Sequence, residues 1–225
     1  MNIFYRRSCF PKSLFLSLEI MNLYLIRHAE TAVPDGYVQK NFSLSELGQT
    51  QAHALAQRMS SIRIDRLFCS PLARARQTAE YISKSRSIPI EIETDFREMD
   101  LGEIGGMPLK KVYALHGDYL RSRPHPVMEY GYVQGETAEA FHSRVAVAFE
   151  KMVWKPFCQR DVNVVLVAHG GVICAILLHL LGLTFDGYLT YFVDYTGISK
   201  IDNRHARPRI RYINDINHLK KADLI

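Results

Sequence analysis

Arg27 and His28 stand side by side, directly after an apolar run that includes Leu23, Leu25 and Ile26 and shortly before Pro34, Asp35 and Gly36. The pattern predicts a core strand over 22–27 that ends by delivering a cation and an imidazole into a loop. A second imidazole, His169, follows the run 162–168 and precedes Gly170 and Gly171. The run 65–69 leads into CSPLARARQTA, which carries Arg74 and Arg76 into the opening turns of a helix. The run 88–92 leads into DFREMDLGEIGG, with Arg97 and Glu98 ahead of glycines. Ligand crevices of open α/β sheets lie beyond the carboxyl ends of the strands. Four strand exits therefore converge on cations, imidazoles and one carboxyl group.

Arginines at such a mouth, beside helix N-termini and glycine turns like that at Gly170, suit a dianionic oxyanion, most often phosphate. The histidines add either a nucleophile or further hydrogen-bond donors. An imidazole that attacks phosphorus forms a phosphohistidine and splits one displacement into two. Neighbouring guanidinium charges lower its pKa and keep it neutral. A leaving alkoxide needs a proton, and Glu98 is the carboxyl group that its own loop supplies to the mouth. Singly, each marker has a simpler explanation: His28 as a turn residue, Arg74 as a solvated helix cation, Glu98 as a loop charge, His169 as a helix cap. Their joint arrival argues for chemistry, and Arg76, two positions past Arg74, is expected on the surface. A thiolate phosphatase is disfavoured, because four residues separate Cys69 from Arg74 and six separate it from Arg76, so neither gives C-x5-R. Cys69 reads instead as the last buried residue of its strand.

The elements that must hold these residues are short apolar strands alternating with helical patterns. Residues 45–60 place Leu47, Ala52, Leu55, Ala56 and Met59 on one helical face, with Ser45 as N-cap. Ser70 followed by Pro71 reads as cap and first turn of a helix over 71–85. Residues 137–154 repeat Phe141, Val145, Ala148, Phe149 and Met152, and 172–183 reads as a core helix too short to cross a bilayer. The alternation predicts an α/β fold with a mainly parallel sheet covered on both faces. Segment 99–136, rich in Gly, Pro, His and Tyr, is expected to run over the sheet edge.

The 225 residues, 48% hydrophobic and 23% charged, suit one well-filled domain. The formal charge of +5 sits at the ends. Arg6, Arg7 and Lys12 oppose Glu19 in residues 1–20, and seven cations oppose three carboxylates in 196–225, so the body between is close to neutral. That is no nucleic-acid footprint spread over a fold. A non-catalytic RNA-binding protein using KIDNRHARPRIRY, with Tyr195 and Tyr212 for stacking, is the alternative of a different class; a solvated edge strand and tail accounts for the same stretch. Cys9, Cys69, Cys158 and Cys174 are widely spaced and read as reduced thiols of a cytoplasmic protein. The other histidines show no metal-ligand spacing, so neither metal nor other cofactor is expected. Residues 1–20 read as an N-terminal extension, with Pro11, Lys12 and Glu19 interrupting any signal-peptide pattern, and 21–225 as a single domain.

The ordered series LIRHAET, LSELGQTQA, CSPLARARQTA, REMDLGEIGG, GETAEAFHSRV and VLVAHGGV, from about residue 22 to 182, resembles the motif series of the histidine phosphatase superfamily, also called phosphoglycerate-mutase-like. The resemblance implies a three-layer α/β/α fold with a mainly parallel central sheet and no metal. It implies His28 as the phosphorylated nucleophile, Arg27 and Arg74 as phosphate clamps, His169 with Gly170 as further phosphate contacts, and Glu98 as proton donor. The partner implied is a small-molecule phosphomonoester, with no nucleic acid and no membrane; nothing in the sequence bears on oligomeric state. REMDLG, GETAEAFHSRV and FVDYTGISKID are most similar to α-ribazole phosphatases, which implies α-ribazole 5′-phosphate as substrate. Broad-specificity sugar-phosphate phosphatases share most of these features. A phosphoglycerate mutase fits less well, because the region between Glu98 and Gly135 is short. Two departures stand out: Ala29 and Pro34 occupy positions where the family usually has Gly and often has Asn. Ala29 requires that the backbone there has no positive φ.

Overall fold

The computed structural model describes residues 19–121, 134–183, 192–204 and 207–225. Most of the proposed extension 1–20, the part of segment 99–136 from 122 to 133, and His205 lie outside the described residues. In chain order the elements are β1 (Met21–Arg27), α1 (Glu46–Met59), β2 (Arg66–Cys69), α2 (Ala73–Arg86), β3 (Ile90–Ile92), α3 (Leu109–Arg121), α4 (Ala138–Phe149), β4 (Val162–Ala168), α5 (Gly170–Leu181), β5 (Ile198–Asp202), β6 (Arg209–Asp215) and α6 (Asn217–Lys221). The strands form one sheet in the order β3-β2-β4-β1-β5-β6. β1 pairs with β4, β4 with β2 and β2 with β3, all parallel, whereas β5 runs antiparallel to both β1 and β6.

The apolar runs of β1 and β4 are continuous because both faces are covered. Leu23 and Leu25 of β1, with Val164 and Leu166 of β4, pack into a core shared with α4 and α5. Tyr24, Ile26, Val165 and Val167 point the other way, into a core shared with α1 and α2. Three layers result, as expected. The C-terminal region supplies the expected edge strand, β6, with Arg209 and Arg211 exposed, but it also supplies β5, which lies inside the sheet against β1. Its alternation is polar enough to read as solvated, yet Ser199 and Asp202 are buried. Arg204 and Arg211 of the basic stretch both pair with Asp202, and Tyr212 packs on the core beside α1, which occupies groups an RNA would need. Segment 99–136 contains the helix α3, which its Gly, Pro and Tyr content obscured.

The starts of α1 and α2 set the loops at the sheet's mouth. Ser45 caps α1 as expected, its Oγ accepting from Gly48 N at 2.9 Å. Leu47, however, is 40% exposed, and the buried face runs instead through Gly48, Gln51, Ala52, Leu55, Ala56 and Met59. This face lies against the loop that follows β1. Ser45 N donates to Glu30 O, Ser45 Oγ to the Glu30 carboxylate, and Glu30 N to Gln51 Oε1. α2 begins at Ala73, two residues later than expected; in the turn before it the Ser70 hydroxyl accepts from Leu72 N and also lies against His169 Nε2.

Gly48 has no room for a side chain, since a Cβ there would stand 2.0 Å from Glu30 O. Gly48→Ala is therefore expected to push α1 off the loop and to destabilise the protein by about 1–3 kcal/mol in urea unfolding. Unchanged stability would show that α1 does not hold this loop.

Candidate functional site

β1 and β4 end side by side, with Arg27 opposite Ala168. His28 N donates to Ala168 O at 2.9 Å, so His28 and His169 leave the sheet together. Their rings meet edge to face with centroids 5.1 Å apart, and both side chains are buried. Arg74 reaches them from the first turn of α2 and is buried as well. Glu98 arrives on the loop after β3, and its two carboxylate oxygens accept from Met99 N at 3.0 Å and from Gly171 N at 3.1 Å. Gly170 begins α5 beside Arg27, its absent Cβ pointing at Arg27 Nε and Cδ. The structure thus brings together Arg27, His28, Arg74, Glu98, His169 and Gly170. Arg76 is exposed, and Cys69 is buried with its thiol pushed up to about 12 by burial, as its strand-end reading required.

The hydrogen bonds fix the state of His28. Its Nδ1 lies 2.7 Å from Ala29 O, an acceptor, so Nδ1 carries the proton. Its Nε2 accepts from Arg74 Nε at 3.0 Å and therefore presents a lone pair. Burial first, and the Arg74 and Arg27 charges after it, hold the His28 pKa well below the usual imidazole range. His169 is likewise held neutral by burial and by Arg74. Its Nε2 lies 2.6 Å from Ser70 Oγ, which also accepts from Leu72 N. The Ser70 hydroxyl proton is then free to point at Nε2, leaving His169 Nδ1 as a donor. Among the described residues, His169 Nδ1 and Arg27 Nε are both buried without a hydrogen-bond partner. Unsatisfied buried donors are costly, and an anion seated among them would satisfy both. Arg74 is hydrogen-bonded to His28 Nε2 and Lys40 O, yet burial pulls its guanidinium down to about 10, a shift that Glu98 opposes. Burial raises the Glu98 carboxyl above its ordinary range, which favours a proton on it nearer neutral pH.

Several residues at this site were given no part in phosphate chemistry by the sequence. Ser70 read as a helix cap; its place between a buried strand and a proline was the one available clue. Lys40 contributes its backbone, accepting from Arg74 Nη1 at 2.8 Å. Tyr195 lies under the Arg27 guanidinium, 4.2 Å from Cζ to ring centroid. Arg144 grips Glu136 through two bonds, Nε to Oε1 at 2.8 Å and Nη2 to Oε2 at 2.6 Å, while its Nη1 donates to the carbonyls of Asp95 and Arg97. The loop carrying Glu98 is pinned in this way, which gives GETAEAFHSRV a physical role. Beside Glu98 and Arg74 opens a cavity of about 210 Å³, lined also by Gln39, Lys40, Asn41, Arg97 and Leu101. Ala29 is tolerated: it is absent from the positive-φ residues, its N donates to Thr78 Oγ1, and its methyl packs with Leu44 and Ala52. Pro34 is exposed in a turn closed by Tyr37 N to Pro34 O. Among the described residues, no group of three or more His, Cys, Asp or Glu is placed to hold a metal ion, and no helix is long and apolar enough to cross a membrane.

A buried arginine, a second arginine beside it, two neutral imidazoles and a carboxyl group whose pKa is raised by burial sit together at the sheet's mouth, an arrangement suited to a phosphate dianion. The model of the histidine phosphatase superfamily (branch 1) matches residues 23–216, and the chain belongs to that superfamily as one of its phosphatases. It is 30% identical to phosphoserine phosphatase 1 of Hydrogenobacter thermophilus over 206 residues, 89% of this chain and 95% of that protein. It is 29% identical to the uncharacterized phosphatase PhoE of Bacillus subtilis over 201 residues, 87% of this chain and 95% of that protein. The crystal structure of the α-ribazole phosphatase from Shigella flexneri superposes with a TM-score of 0.76 at 25% identity, covering 87% of this chain and 96% of that one.

The depressed pKa values of His28 and His169 carry a sign for stability. Each imidazole refuses a proton in the folded state and accepts one on unfolding near its ordinary pKa of about 6.5. Stability is thus retained above that range and lost as pH falls below it, by up to about 1.4 kcal/mol per pH unit for each histidine. Urea unfolding at pH 7.5 and 5.5 should show this loss, offset in part by Glu98, whose raised pKa acts with the opposite sign, and the loss should be smaller in His169→Gln; an identical pH dependence in parent and variant would contradict the buried neutral pair.

Proposed function

We propose that the protein is a phosphomonoesterase that works through a phosphohistidine on His28, and the observation that carries this reading is the Nδ1-protonated, buried imidazole whose Nε2 lone pair faces Arg74. A phosphate dianion entering the site draws Arg74 and Arg27 onto its oxygens and uncovers Nε2. The lone pair forms an N–P bond as the P–O bond to the leaving group breaks. Glu98 gives its proton to the departing alkoxide. His169, the arginines and the N-terminus of α5 at Gly170 stabilise the equatorial oxygens in the transition state. Water then attacks phosphorus, its proton returns to Glu98, the N–P bond breaks, and inorganic phosphate leaves with His28 restored. Nδ1 keeps its proton throughout, held by Ala29 O. No step calls on a metal or other cofactor.

For the leaving group, α-ribazole 5′-phosphate is the first choice. The likeness to the Shigella enzyme supports it, as does the exposed Phe192 ring beside Arg27, which offers a face for stacking a base. A second reading, a small phosphorylated carboxylic acid such as phosphoserine, is favoured by Lys40 and Arg97 in the cavity beside Glu98 and by the 30% identical phosphoserine phosphatase. Turnover of a panel holding α-ribazole 5′-phosphate, phosphoserine, 3-phosphoglycerate and sugar phosphates separates the two. We also assign residues 21–225 to one domain and the working site to a small-molecule phosphomonoester.

The mechanism is tested by rapid quench with labelled substrate. An acid-labile, base-stable phosphoenzyme should accumulate in the parent and be absent in His28→Ala, which should lose turnover while remaining folded; turnover surviving that substitution removes the phosphohistidine from the account. Glu98→Gln should slow an alkyl phosphate by roughly 10²–10⁴-fold. The burst with p-nitrophenyl phosphate, whose leaving group needs little protonation, should be far less affected. Equal losses on both would mean that Glu98 only positions or binds.

A further inference from the structure

The turn Val193–Gly197, just before β5, holds the start of the active-site loop at four points. Val193 O accepts from Arg27 Nη1 at 2.6 Å. The Tyr195 ring lies under Arg27 and 5.7 Å from the His28 ring. Thr196 N is shared between the carbonyls of Arg27 at 3.1 Å and His28 at 3.4 Å, and Arg27 N donates to Gly197 O. The backbone that permits this is strained: Thr196 sits at φ +55°, in the left-handed region that a β-branched residue avoids. Such a conformation persists only where its surroundings over-determine it.

Two groups from the chain's last elements do so. Asn214, at the end of β6, accepts from Asp194 N and donates to the Asp194 carboxylate. His218, on α6, places Nε2 2.9 Å from Thr196 Oγ1, with both side chains buried. Burial and the nearby Arg58, opposed by Asp215, leave His218 at about 4, neutral in the working range. α6 itself rests on α1, where Arg58 pairs with Asp215 at 3.6 Å. The family match ends at residue 216, two residues before His218.

We propose that Thr196 and His218 are a pair of positioning residues whose buried hydrogen bond holds the left-handed turn, and through it fixes Arg27 and the nucleophile His28 for attack. The proposal rests on reading His28 as the residue that becomes phosphorylated. It makes the C-terminal helix part of the site, although no atom of it touches the reacting groups.

The test uses the full chain and the burst of phosphoenzyme formation with p-nitrophenyl phosphate, read well below each variant's Tm, with vanadate affinity and Tm measured alongside. Thr196→Val keeps the β-branch and removes the hydroxyl; His218→Leu removes the ring nitrogens. Each should slow the burst by about 10–100-fold, the range a small misplacement of reacting groups produces. Thr196→Ser and His218→Gln, which keep a hydrogen-bonding group in place, should stay close to the parent. The double variant Thr196→Val/His218→Leu should lose no more than either single change. Should the Val or Leu variant fail to fold, Thr196→Gly carries the test, because glycine occupies the left-handed region without strain yet lacks the hydroxyl, and its burst should be slow. A lowered Tm with an unchanged burst rate would overturn the proposal, as would Ser and Gln variants as slow as Val and Leu, or losses that multiply in the double variant. A parent that forms no phosphoenzyme would instead overturn the phosphohistidine reading.

Discussion

Everything at this site depends on keeping one imidazole neutral, buried and aimed. His28 is clamped between an acceptor on one side, Ala29 O, and a donor on the other, Arg74 Nε. Neither bond alone would serve. The first selects the tautomer, and the second occupies the lone pair that would otherwise be stranded in a dry pocket at a cost of about 1–3 kcal/mol. Burial, and after it the two arginines that would meet an incoming phosphate in the proposed mechanism, stop the ring from taking up a proton. On that reading, a site that attracts dianions keeps its nucleophile ready as a consequence of the same electrostatics.

Such a concentration of unpaired donors is unfavourable for folding, and the surrounding structure is arranged to tolerate it. The central strands β1 and β4, which deliver Arg27, His28 and His169, are covered on both faces. Three braces hold the loops from outside: α1 against Glu30, Arg144 with Glu136 behind the Glu98 loop, and the turn Val193–Gly197 beneath Arg27. Each brace ends on backbone groups as much as on side chains. That is economical of sequence, because a carbonyl position survives many substitutions of the residue that bears it, and it explains why the Asp95 and Lys40 carbonyls could not be read as functional.

What the sequence disclosed follows the same division. Strand periodicity, the cap at Ser45 and the residue types at four strand ends were enough to place Arg27, His28, Arg74, Glu98 and His169 at one mouth. Each stands at a fixed offset from a strong apolar run. Leu47 misled, because an apolar residue in the first turn fitted the helical face while Gly48, which has no side chain to count, supplied the real contact. Ser70 was read only in part: its hydroxyl accepts from Leu72 N in the turn before α2, as a helix-start residue would, and it also meets His169, a tertiary contact with no mark in the sequence. β5 and β6 were legible only as one edge strand: the polar Ser199 and Asp202 of β5 are buried, whereas Arg209 and Arg211 of β6 stay exposed at the sheet's edge. Thr196 and His218 lie 22 residues apart and carry no pattern at all.

The asymmetry between the two halves of the site explains why the reaction is easier to read than the substrate. The phosphoryl half is built at strand ends, deep in the molecule, from groups whose charge and tautomer admit few alternatives. In the proposed function the leaving-group half is built from the loops around Lys40 and Leu101, and the exposed Phe192 ring lies near Arg27. Loops of this kind tolerate substitution and insertion without disturbing the sheet. An alcohol entering beside Glu98 meets flexible cations, amides and apolar side chains rather than a closed and fully satisfied pocket. Discrimination by such a surface comes from a few contacts worth about one or two kcal/mol each, whereas transfer of the phosphoryl group requires the whole buried constellation at once. One scaffold can therefore retain its chemistry while its choice of alcohol drifts. The residues to compare when asking about substrate are then Gln39, Lys40, Asn41, Arg97 and Phe192, not the residues that hold the phosphate.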